Sequence, residues 1–395
     1  MNSFKKYFSG ISRNVFVLGF VSLLTDLSGQ MVFPLLPLYI TTVLGGSATA
    51  VGLVEGAAET TASLLKVVSG YWSDKIKKRK PFVFFGYTLS ALMKPFLAFA
   101  GNWFAVLAIR MADRVGKGVR DAPRDAIIAE TNDQATMGKA YGFNRALDGL
   151  GSVGGAALAF LLLPVLGFVN LFKLAIIPGL MAVIVIFWVK EPRGTETIKK
   201  NPLHLGFLGL TGELKKFILI ATIFALGNFN YAFLMLKAQS AGLSNEKTIM
   251  LYALFYLIYT LLSMKAGTLS DKFGRKPIIM AGYIIFTALS FGLYMFKSQA
   301  FIVISFILFG VFFALIDGTQ RALVSDLSPD GMKGTALGTF HTFTGLAAMP
   351  AGFIAGQLWT KINPEATFLF GAVMGLVSVF ALYFLLFDIA FNYKN

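Results

Sequence analysis

Long apolar runs recur along the whole chain, and they limit what it can fold into. Runs of roughly 20 residues are long enough to cross the hydrocarbon core of a bilayer as helices. Of the 395 residues, 56% are hydrophobic and only 14% are charged, a balance that soluble globular domains do not show. The pattern therefore predicts an all-α integral membrane protein.

The apolar runs fall into two groups of six. The first six lie near residues 14–39, 47–74, 81–100, 103–130, 141–167 and 170–190, and the second six near 217–238, 246–270, 277–297, 299–327, 334–361 and 366–389. A polar and basic segment separates the two groups. We therefore predict an N-terminal six-helix bundle over 1–190, a cytoplasmic linker over 191–216 and a C-terminal six-helix bundle over 217–395.

Lysine and arginine are concentrated in alternate connections between the predicted spans. They occur in the linker and at Lys75, Lys77, Lys78, Arg79 and Lys80 after span 2, and at Lys272, Arg275 and Lys276 after span 8. Basic connections stay on the cytoplasmic side of a membrane, so we predict a multi-pass protein of the cytoplasmic (inner) membrane with both termini in the cytoplasm. The net charge of +15 then reflects topology, and no nucleic-acid partner is expected.

The second half of the chain repeats the first. Residues of the same type recur at a constant offset of 196, as in the pairs Gly138 and Gly334, Gly142 and Gly338, Gly149 and Gly345, and Asp121 and Asp317. Each copy holds six spans, so both copies enter the membrane from the same side. Such parallel repeats occur in transporters whose solute site lies between the halves.

Two short motifs resemble signatures of the major facilitator superfamily. The segments Gly70-Tyr-Trp-Ser-Asp74-Lys75 and Gly267 to Lys276 are similar to its Gly-x-x-x-Asp-Arg/Lys-x-Gly-x-Arg/Lys signature. The segment that begins at Arg110 in span 4 is similar to its Arg-x-x-Gln-Gly-x-Gly motif. Here Asp113 and Arg114 replace the usual glutamine and glycine.

The resemblance implies a twelve-helix transporter that works by alternating access, with spans 1, 4, 7 and 10 around a central cavity. It also implies a cytoplasmic gate at the repeated signature, in which Asp74 binds the opposite half near span 11. The gating candidates are Gly70, Asp74, Lys75, Gly267, Asp271, Lys272 and Arg275, with Arg124 at the cytoplasmic end of span 4.

Span 4 carries a stripe of charge where the repeat has none. Arg110, Asp113, Arg114 and Lys117 correspond to Phe306, Phe309, Gly310 and Phe313 in span 10. Charges at bilayer depth are costly and mark functional sites, so the stripe is predicted to face a polar cavity. Because guanidinium groups bind carboxylate and phosphate, these four residues are candidates for binding an anionic solute. Candidates in the second half are Asn228, Asn230 and Tyr256.

Three acidic residues lie near the predicted midplane and are candidates for proton coupling. Asp26 is about twelve residues into span 1, and Glu55 and Glu59 are roughly eight to twelve residues into span 2, at about 1.5 Å of rise per residue. Asp26 is preferred, followed by Glu59 and Glu55. In an alternative interpretation, the charged residues only form buried ion pairs that fix helix packing.

These features predict a secondary transporter of a small anionic or amphipathic solute, with proton-coupled efflux favoured. Proton-linked uptake is the alternative, because span 5 lacks the proline that follows glycine in many exporters. A membrane sensor or a membrane-embedded enzyme is the alternative of another class. The chain has no cysteine, only two distant histidines, and no Gly-x-Ser-x-Gly or phosphate-loop motif, so we predict no enzyme activity, cofactor or metal, and a functional monomer.

Overall fold

The structure is a computed structural model that describes residues 11–132, 137–191, 209–329 and 332–392. Within these ranges the chain is helical and contains no strand. The first half forms α1 (Arg13–Gln30), α2 (Ala48–Ile76), α3 (Lys80–Phe96), α4 (Trp103–Glu130), α5 (Met137–Leu174) and α6 (Ile176–Ile186). The second half forms α7a (Gly212–Gly227), α7b (Tyr231–Ser240), α8 (Asn245–Phe273), α9 (Arg275–Met295), α10 (Gln299–Asp326), α11 (Lys333–Lys361) and α12 (Pro364–Asn392).

Eight helical segments of the described chain are long and apolar enough to cross a membrane. One of the eight contains both α5 and α6, and another contains α7a and α7b. Helices α2, α4 and α11, of 28 or 29 residues each, complete the predicted set of twelve spans. The prediction of an all-α membrane fold is therefore confirmed.

Side-chain caps fix where several helices begin. Serine, threonine or asparagine residues precede α1, α4, α7a, α8 and α10, and each accepts a hydrogen bond from a backbone N–H of the first turn. These N–H groups have no partner inside their own helix, and a short polar side chain just before the helix supplies a hydrogen-bond acceptor. The capping residues are Ser12, Asn102, Thr211, Ser244 and Ser298.

Spans 1 and 7 are interrupted. After Gln30, span 1 continues as a 3-10 turn (Phe33–Leu35), one helical turn (Leu36–Leu38) and a π turn (Tyr39–Val43), because Pro34 and Pro37 lack the N–H that a regular helix needs. Span 7 breaks between α7a and α7b at Asn228–Asn230, where Asn228 is extended with ψ 91°. The prediction of a continuous helix through both asparagines was wrong.

Contacts divide the chain into two compact units. One contains Met1–Leu35 and Leu64–Lys199, and the other contains Leu36–Ser63 and Lys200–Asn395. Residues 192–208 of the predicted linker 191–216 lie outside the described residues. Leu36–Ser63 groups with the C-terminal residues and not with the rest of the predicted bundle 1–190. The reason is close packing between the first part of α2 and α11, where a Cβ on Gly52 or Gly352 would overlap the backbone of the other.

The first unit has an aliphatic core and the second an aromatic one. Residues of α1, α3, α4 and α6 form the first core, including Val15, Leu18, Val83 and Ile127, all fully buried. In the second unit, phenylalanine rings of α7a, α9 and α10 pack against one another, with Phe224 and Phe286 at a centroid distance of 5.0 Å. The two halves therefore reach the same fold with different core chemistry.

Candidate functional site

A glycine contact positions the charged residues of the first unit. Helices α3 and α4 meet at Gly86 and Gly116, where a Cβ on either would overlap the backbone carbonyl of the other. Such close approach requires glycine on both helices. It brings Ser90 and Lys94, on the next turns of α3, alongside the charge stripe of α4.

Arg110 and Asp113 form a buried ion pair. Arg110 Nη1 lies 3.2 Å from Asp113 Oδ2, and Ser90 Oγ donates a hydrogen bond to the other carboxylate oxygen. The Arg110 guanidinium also stacks over the Phe33 ring at 3.7 Å. Only 1% of Arg110 and 3% of Asp113 are exposed. The structure therefore places these two predicted binding residues in packed protein and not on a polar surface.

Two other cations act on the Asp113 carboxylate. Arg114, whose guanidinium lies 5.0 Å from the Phe33 centroid, and Lys94 both interact electrostatically with Asp113. Lys94 is 1% exposed, and its ammonium makes no hydrogen bond within the described part of the chain. Three cations thus act on the Asp113 carboxylate, and Asp26 also acts on Lys94.

Arg114 and Lys117 are the partly exposed members of the stripe. They follow Arg110 at spacings of four and three residues, so the three share one face of α4. These two side chains are therefore partly accessible, whereas Arg110 is not. Lys94, the single lysine of span 3, was expected as a possible partner of the span 4 charges and not as a site residue.

Asp26 lies in a second group of charges, between α1, α4 and α5. It is partly buried, and the charges that act on it are those of Asp148, Lys117, Arg120 and Arg124. Its carboxylate forms no hydrogen bond or ion pair within the described residues. Asp148, near the start of α5, was expected from the sequence only as a possible partner for the charges of the first half, and the structure brings it close enough to Asp26 to act on it.

Arg120 and Arg124 are held by contacts within the same unit. The Arg120 guanidinium lies 4.2 Å from the centroid of the Tyr87 ring. Arg124 pairs with Asp125 at 2.9 Å and donates a hydrogen bond to Ser22 Oγ at 3.2 Å. Arg124, predicted as a gating residue, therefore links α4 to α1.

The other two predicted proton sites belong to a different unit from Asp26. Glu55 is buried, with 6% exposed, and it acts electrostatically on Tyr252 of α8. Glu59, one turn further along α2, is exposed. The structure therefore does not group the three carboxylates, and only Asp26 shares a unit with the α4 stripe.

The predicted binding residues of the second half have different roles. Asn230 caps α7b, because its Oδ1 accepts a hydrogen bond from the Ala232 N–H at 2.6 Å. The Oδ1 of Asn228 is buried and has no hydrogen-bond partner among the described residues. Tyr256 packs in an aromatic cluster with Tyr252 and Tyr259, at centroid distances of 5.1 and 6.1 Å.

A polar group missed by the site prediction lies beside this cluster. The Tyr259 hydroxyl donates a hydrogen bond to Asp317 Oδ2 at 2.8 Å, and Arg321 Nη2 binds the same oxygen at 2.5 Å. No group of three or more His, Asp or Glu residues in the described ranges could hold a metal ion.

The gating signature between α2 and α3 is organised by Arg79, which the site prediction also omitted. Its guanidinium pairs with Asp74 and with Glu130 Oε1 at 2.7 Å, and it donates to Ser73 Oγ at 2.8 Å. Burial would lower the Arg79 pKa, but the hydrogen bonds and charges of Glu130 and Asp74 raise the pKa above its ordinary value. The family resemblance implied a contact of Asp74 with the opposite half, whereas the structure pairs it with Arg79 of its own unit.

The same arrangement recurs in the second unit around Arg275. Its guanidinium pairs with Asp271 and Asp326, the latter at 3.1 Å, and donates to Ser270 Oγ at 2.7 Å. Arg79 and Arg275 are separated by the repeat offset of 196, so the repeat itself could have identified Arg79. The other predicted gating residues flank these two arginines: Gly70, Lys75, Gly267 and Lys272, of which both lysines are exposed.

Comparisons with known proteins agree with this architecture. The sequence model of the Major Facilitator Superfamily matches residues 18–236 and 217–393. The chain is 42% identical over 383 residues, 95% of each protein, to an uncharacterized MFS-type transporter of Methanocaldococcus jannaschii. It is 23% identical over 386 residues to the inner membrane transport protein YajR of Escherichia coli, covering 95% of this chain and 84% of that protein.

A solved structure shows the same fold. The crystal structure of a POT family transporter in complex with 5-aminolevulinic acid matches with a TM-score of 0.78 at 12% identity, and 96% of each chain is covered. With the family model covering nearly the whole sequence and a 42% identical relative of the same type, this chain belongs to the Major Facilitator Superfamily and is a secondary transporter.

Proposed function

We propose that this transporter moves a small organic anion, or an amphipathic compound with an anionic group, in exchange for protons. The observation that carries the proposal is the group of cations around Asp113, where Arg110, Arg114 and Lys94 act on one carboxylate. Guanidinium and ammonium groups bind carboxylate and phosphate. An anionic solute would contact the partly exposed Arg114 and Lys117.

Asp26 is the proposed proton carrier. It is partly buried, lies close to the cationic stripe, and interacts with both a carboxylate and three cations. A carboxylate in such surroundings has protonated and ionised states whose balance shifts when a nearby charge arrives or leaves. An anion bound beside Lys117 would favour protonation of Asp26, and this coupling would carry solute and proton in the same direction, as in the uptake candidate. Exchange instead requires that solute and proton occupy the site in turn, each leaving before the other binds.

Efflux is the proposed direction, with uptake as the second candidate. A charged N-terminal unit and an aromatic C-terminal unit suit solutes that are both charged and apolar, as exporters handle. The observation that favours uptake is the absence of proline at Gly149–Gly155 of α5, whereas the matching part of α11 contains Pro350. The proposal places both termini in the cytoplasm, because the basic connections follow α2, α6 and α8. It also includes a functional monomer in the cytoplasmic membrane.

Transport in proteoliposomes tests the proposal. An imposed pH gradient, an internal pH dye and a panel of organic anions and amphipathic cations would be applied to the wild type and to Asp26→Asn. Solute-dependent proton movement is expected in the wild type and lost in Asp26→Asn, and its sign distinguishes export from uptake. The matched control is Glu246→Gln, which removes a carboxylate from the first turn of α8 and should leave proton movement unchanged.

The substrate part of the proposal has its own variant. Arg114→Gln should raise the KM for an anionic solute about tenfold, since a charge-assisted hydrogen bond is worth about 1.5–3 kcal/mol. Lys247→Gln, which removes an exposed cation from α8, is the control. Solute transport without proton flux, unchanged in Asp26→Asn, would contradict proton coupling, and an unchanged KM in Arg114→Gln would contradict the anion site.

A further inference from the structure

An apolar groove lies on the first unit between α2, α3 and α4. Its volume is about 480 Å³, within the range of small-molecule pockets. It is lined by Leu65, Val68 and Trp72 of α2, by Phe82 and Phe85 of α3 and by Val119 of α4. The transport site described above uses none of these residues.

The groove opens to the surface of the first unit. Val68, Trp72 and Phe85 are 46%, 56% and 54% exposed, although the groove is almost wholly apolar. Tyr71 and Trp72, in the last turns of α2, are both exposed, and such aromatic residues mark the membrane–water interface. One end of the groove therefore lies at the level of lipid headgroups and the rest at the level of acyl chains.

The connection between the two helices that wall the groove is basic. Lys75, Lys77 and Lys78 lie in or beside the turn from α2 to α3, all three are exposed, and none of the three side chains forms a hydrogen bond or ion pair within the described residues. Arg79 in the same turn is already engaged by Asp74 and Glu130. Three lysine side chains without an ion-pair partner in the described ranges thus stand at the interfacial end of an apolar groove.

The matching surface of the second half lacks the groove's composition. Val68 corresponds to Lys265 at the offset of 197 that relates Gly70 to Gly267, and Phe85 corresponds to Ala281 at the offset of 196. A lysine in place of Val68 would place a charge in the wall, and alanine in place of Phe85 would remove most of one side. The groove is therefore a feature of the first half and not a necessary product of the fold.

We propose that this groove binds one acyl chain of an anionic phospholipid, whose headgroup contacts Lys75, Lys77 and Lys78. Clusters of basic residues beside a membrane helix attract anionic lipid, and the apolar walls accept the chain. The site differs from ordinary lipid contact because the lysines bind an anionic headgroup while the groove binds an acyl chain of the same lipid molecule. Zwitterionic phospholipid would fill the groove only in proportion to its share of the bilayer.

Fluorescence of Trp72 reports occupancy directly. The chain contains four tryptophans, so the triple variant Trp103→Phe/Trp188→Phe/Trp359→Phe leaves Trp72 as the only one. This protein would be placed in phosphatidylcholine nanodiscs with equal mole fractions of brominated-chain phosphatidylglycerol or brominated-chain phosphatidylcholine. We expect the anionic lipid to quench Trp72 about twofold more strongly than the zwitterionic one.

Two further measurements test whether the three lysines cause the stronger quenching by the anionic lipid. Lys75→Gln/Lys77→Gln/Lys78→Gln should abolish the excess quenching, and high salt should reduce it in the unmodified single-tryptophan protein because salt screens exposed charges. Equal quenching by the two lipids would overturn the proposal and leave the groove filled by bulk lipid. An excess that survives both the lysine substitutions and high salt would overturn the role of the basic turn.

Discussion

Helices α4 and α10 occupy matching places in the repeat and fill them with different chemistry. Arg110 and Asp113 of α4 correspond to Phe306 and Phe309 of α10, and all four side chains are buried, with 0 to 3% exposed. The first pair forms an ion pair. In the second, Phe309 stacks parallel to Phe229 at a centroid distance of 6.0 Å.

The difference shows that the fold does not need charge at these positions. Apolar packing of similar volume is often as stable as a buried ion pair or more so, because both ions must be desolvated. If the fold does not need the Arg110–Asp113 pair for stability, the pair can serve transport. The three cations around Asp113 are the groups that would bind an anionic solute. The comparison can be tested by removing one charge, or all of them.

Loss of the Asp113 charge should have the largest effect on stability. In Asp113→Asn the shape and the contact with Ser90 are kept, but the carboxylate that pairs with the buried Arg110 is lost. Breaking a buried pair in this way costs about 3–5 kcal/mol. The measurement is the free energy of unfolding in mixed micelles of mild detergent and SDS.

The matched control copies the apolar character of α10. Lys94→Met/Arg110→Met/Asp113→Leu removes the three buried charges of this group together and should be less destabilised than Asp113→Asn alone, while losing transport. Equal destabilisation of the two variants would mean that the fold of the first unit depends on the charges themselves, which would break the comparison with α10.

The two arginine clusters of the gating signature should differ in strength. Arg79 is 8% exposed at its side chain and Arg275 is 24% exposed, and the partners of Arg275 are 55% and 65% exposed. Charge-assisted hydrogen bonds in partly buried sites contribute more than exposed ion pairs. We expect Arg79→Gln to cost about 3 kcal/mol and Arg275→Gln about 1 kcal/mol or less.

The same unfolding assay measures both arginine variants. Each removes a guanidinium at the same repeat position, so each is the control for the other. Equal losses of stability in the two variants would indicate that the difference in burial between Arg79 and Arg275 does not change the strength of their ion pairs.

Composition and periodicity were enough to predict the helices, because a span must be apolar over its whole length to enter a bilayer. The break at Asn228–Asn230 was not predictable in the same way. Both flanking segments are apolar, so hydropathy continues through the break, and only the capping geometry of Asn230 reveals it. The packing of Leu36–Ser63 with the second unit depends on the contact of Gly52 with Gly352, which are 300 residues apart in sequence.

For the candidate site, the sequence identified which helix carries charge but not which charges are exposed. The spacing of Arg110, Arg114 and Lys117 placed them on one face, as the structure has them. It could not show that Phe33 covers Arg110, because that contact depends on the turn that follows α1. Arg79 was not predicted as a gating residue, because the family signature in the first half was read at Asp74. The repeat offset relates Arg79 to Arg275, which was predicted.

The smallest expected effect concerns Asn230, for which a structural role and a binding role can be distinguished. Asn230→Ala removes the α7b cap and should cost about 1 kcal/mol, whereas Asn230→Ser keeps a capping oxygen and should cost little. If Asn230 only caps the helix, solute affinity in Asn230→Ser stays at the wild-type value. If its side chain also contacts the solute, affinity falls in Asn230→Ser while stability does not. The second result would restore Asn230 as a binding residue, whereas the first would leave recognition of the solute by the second unit to its aromatic cluster.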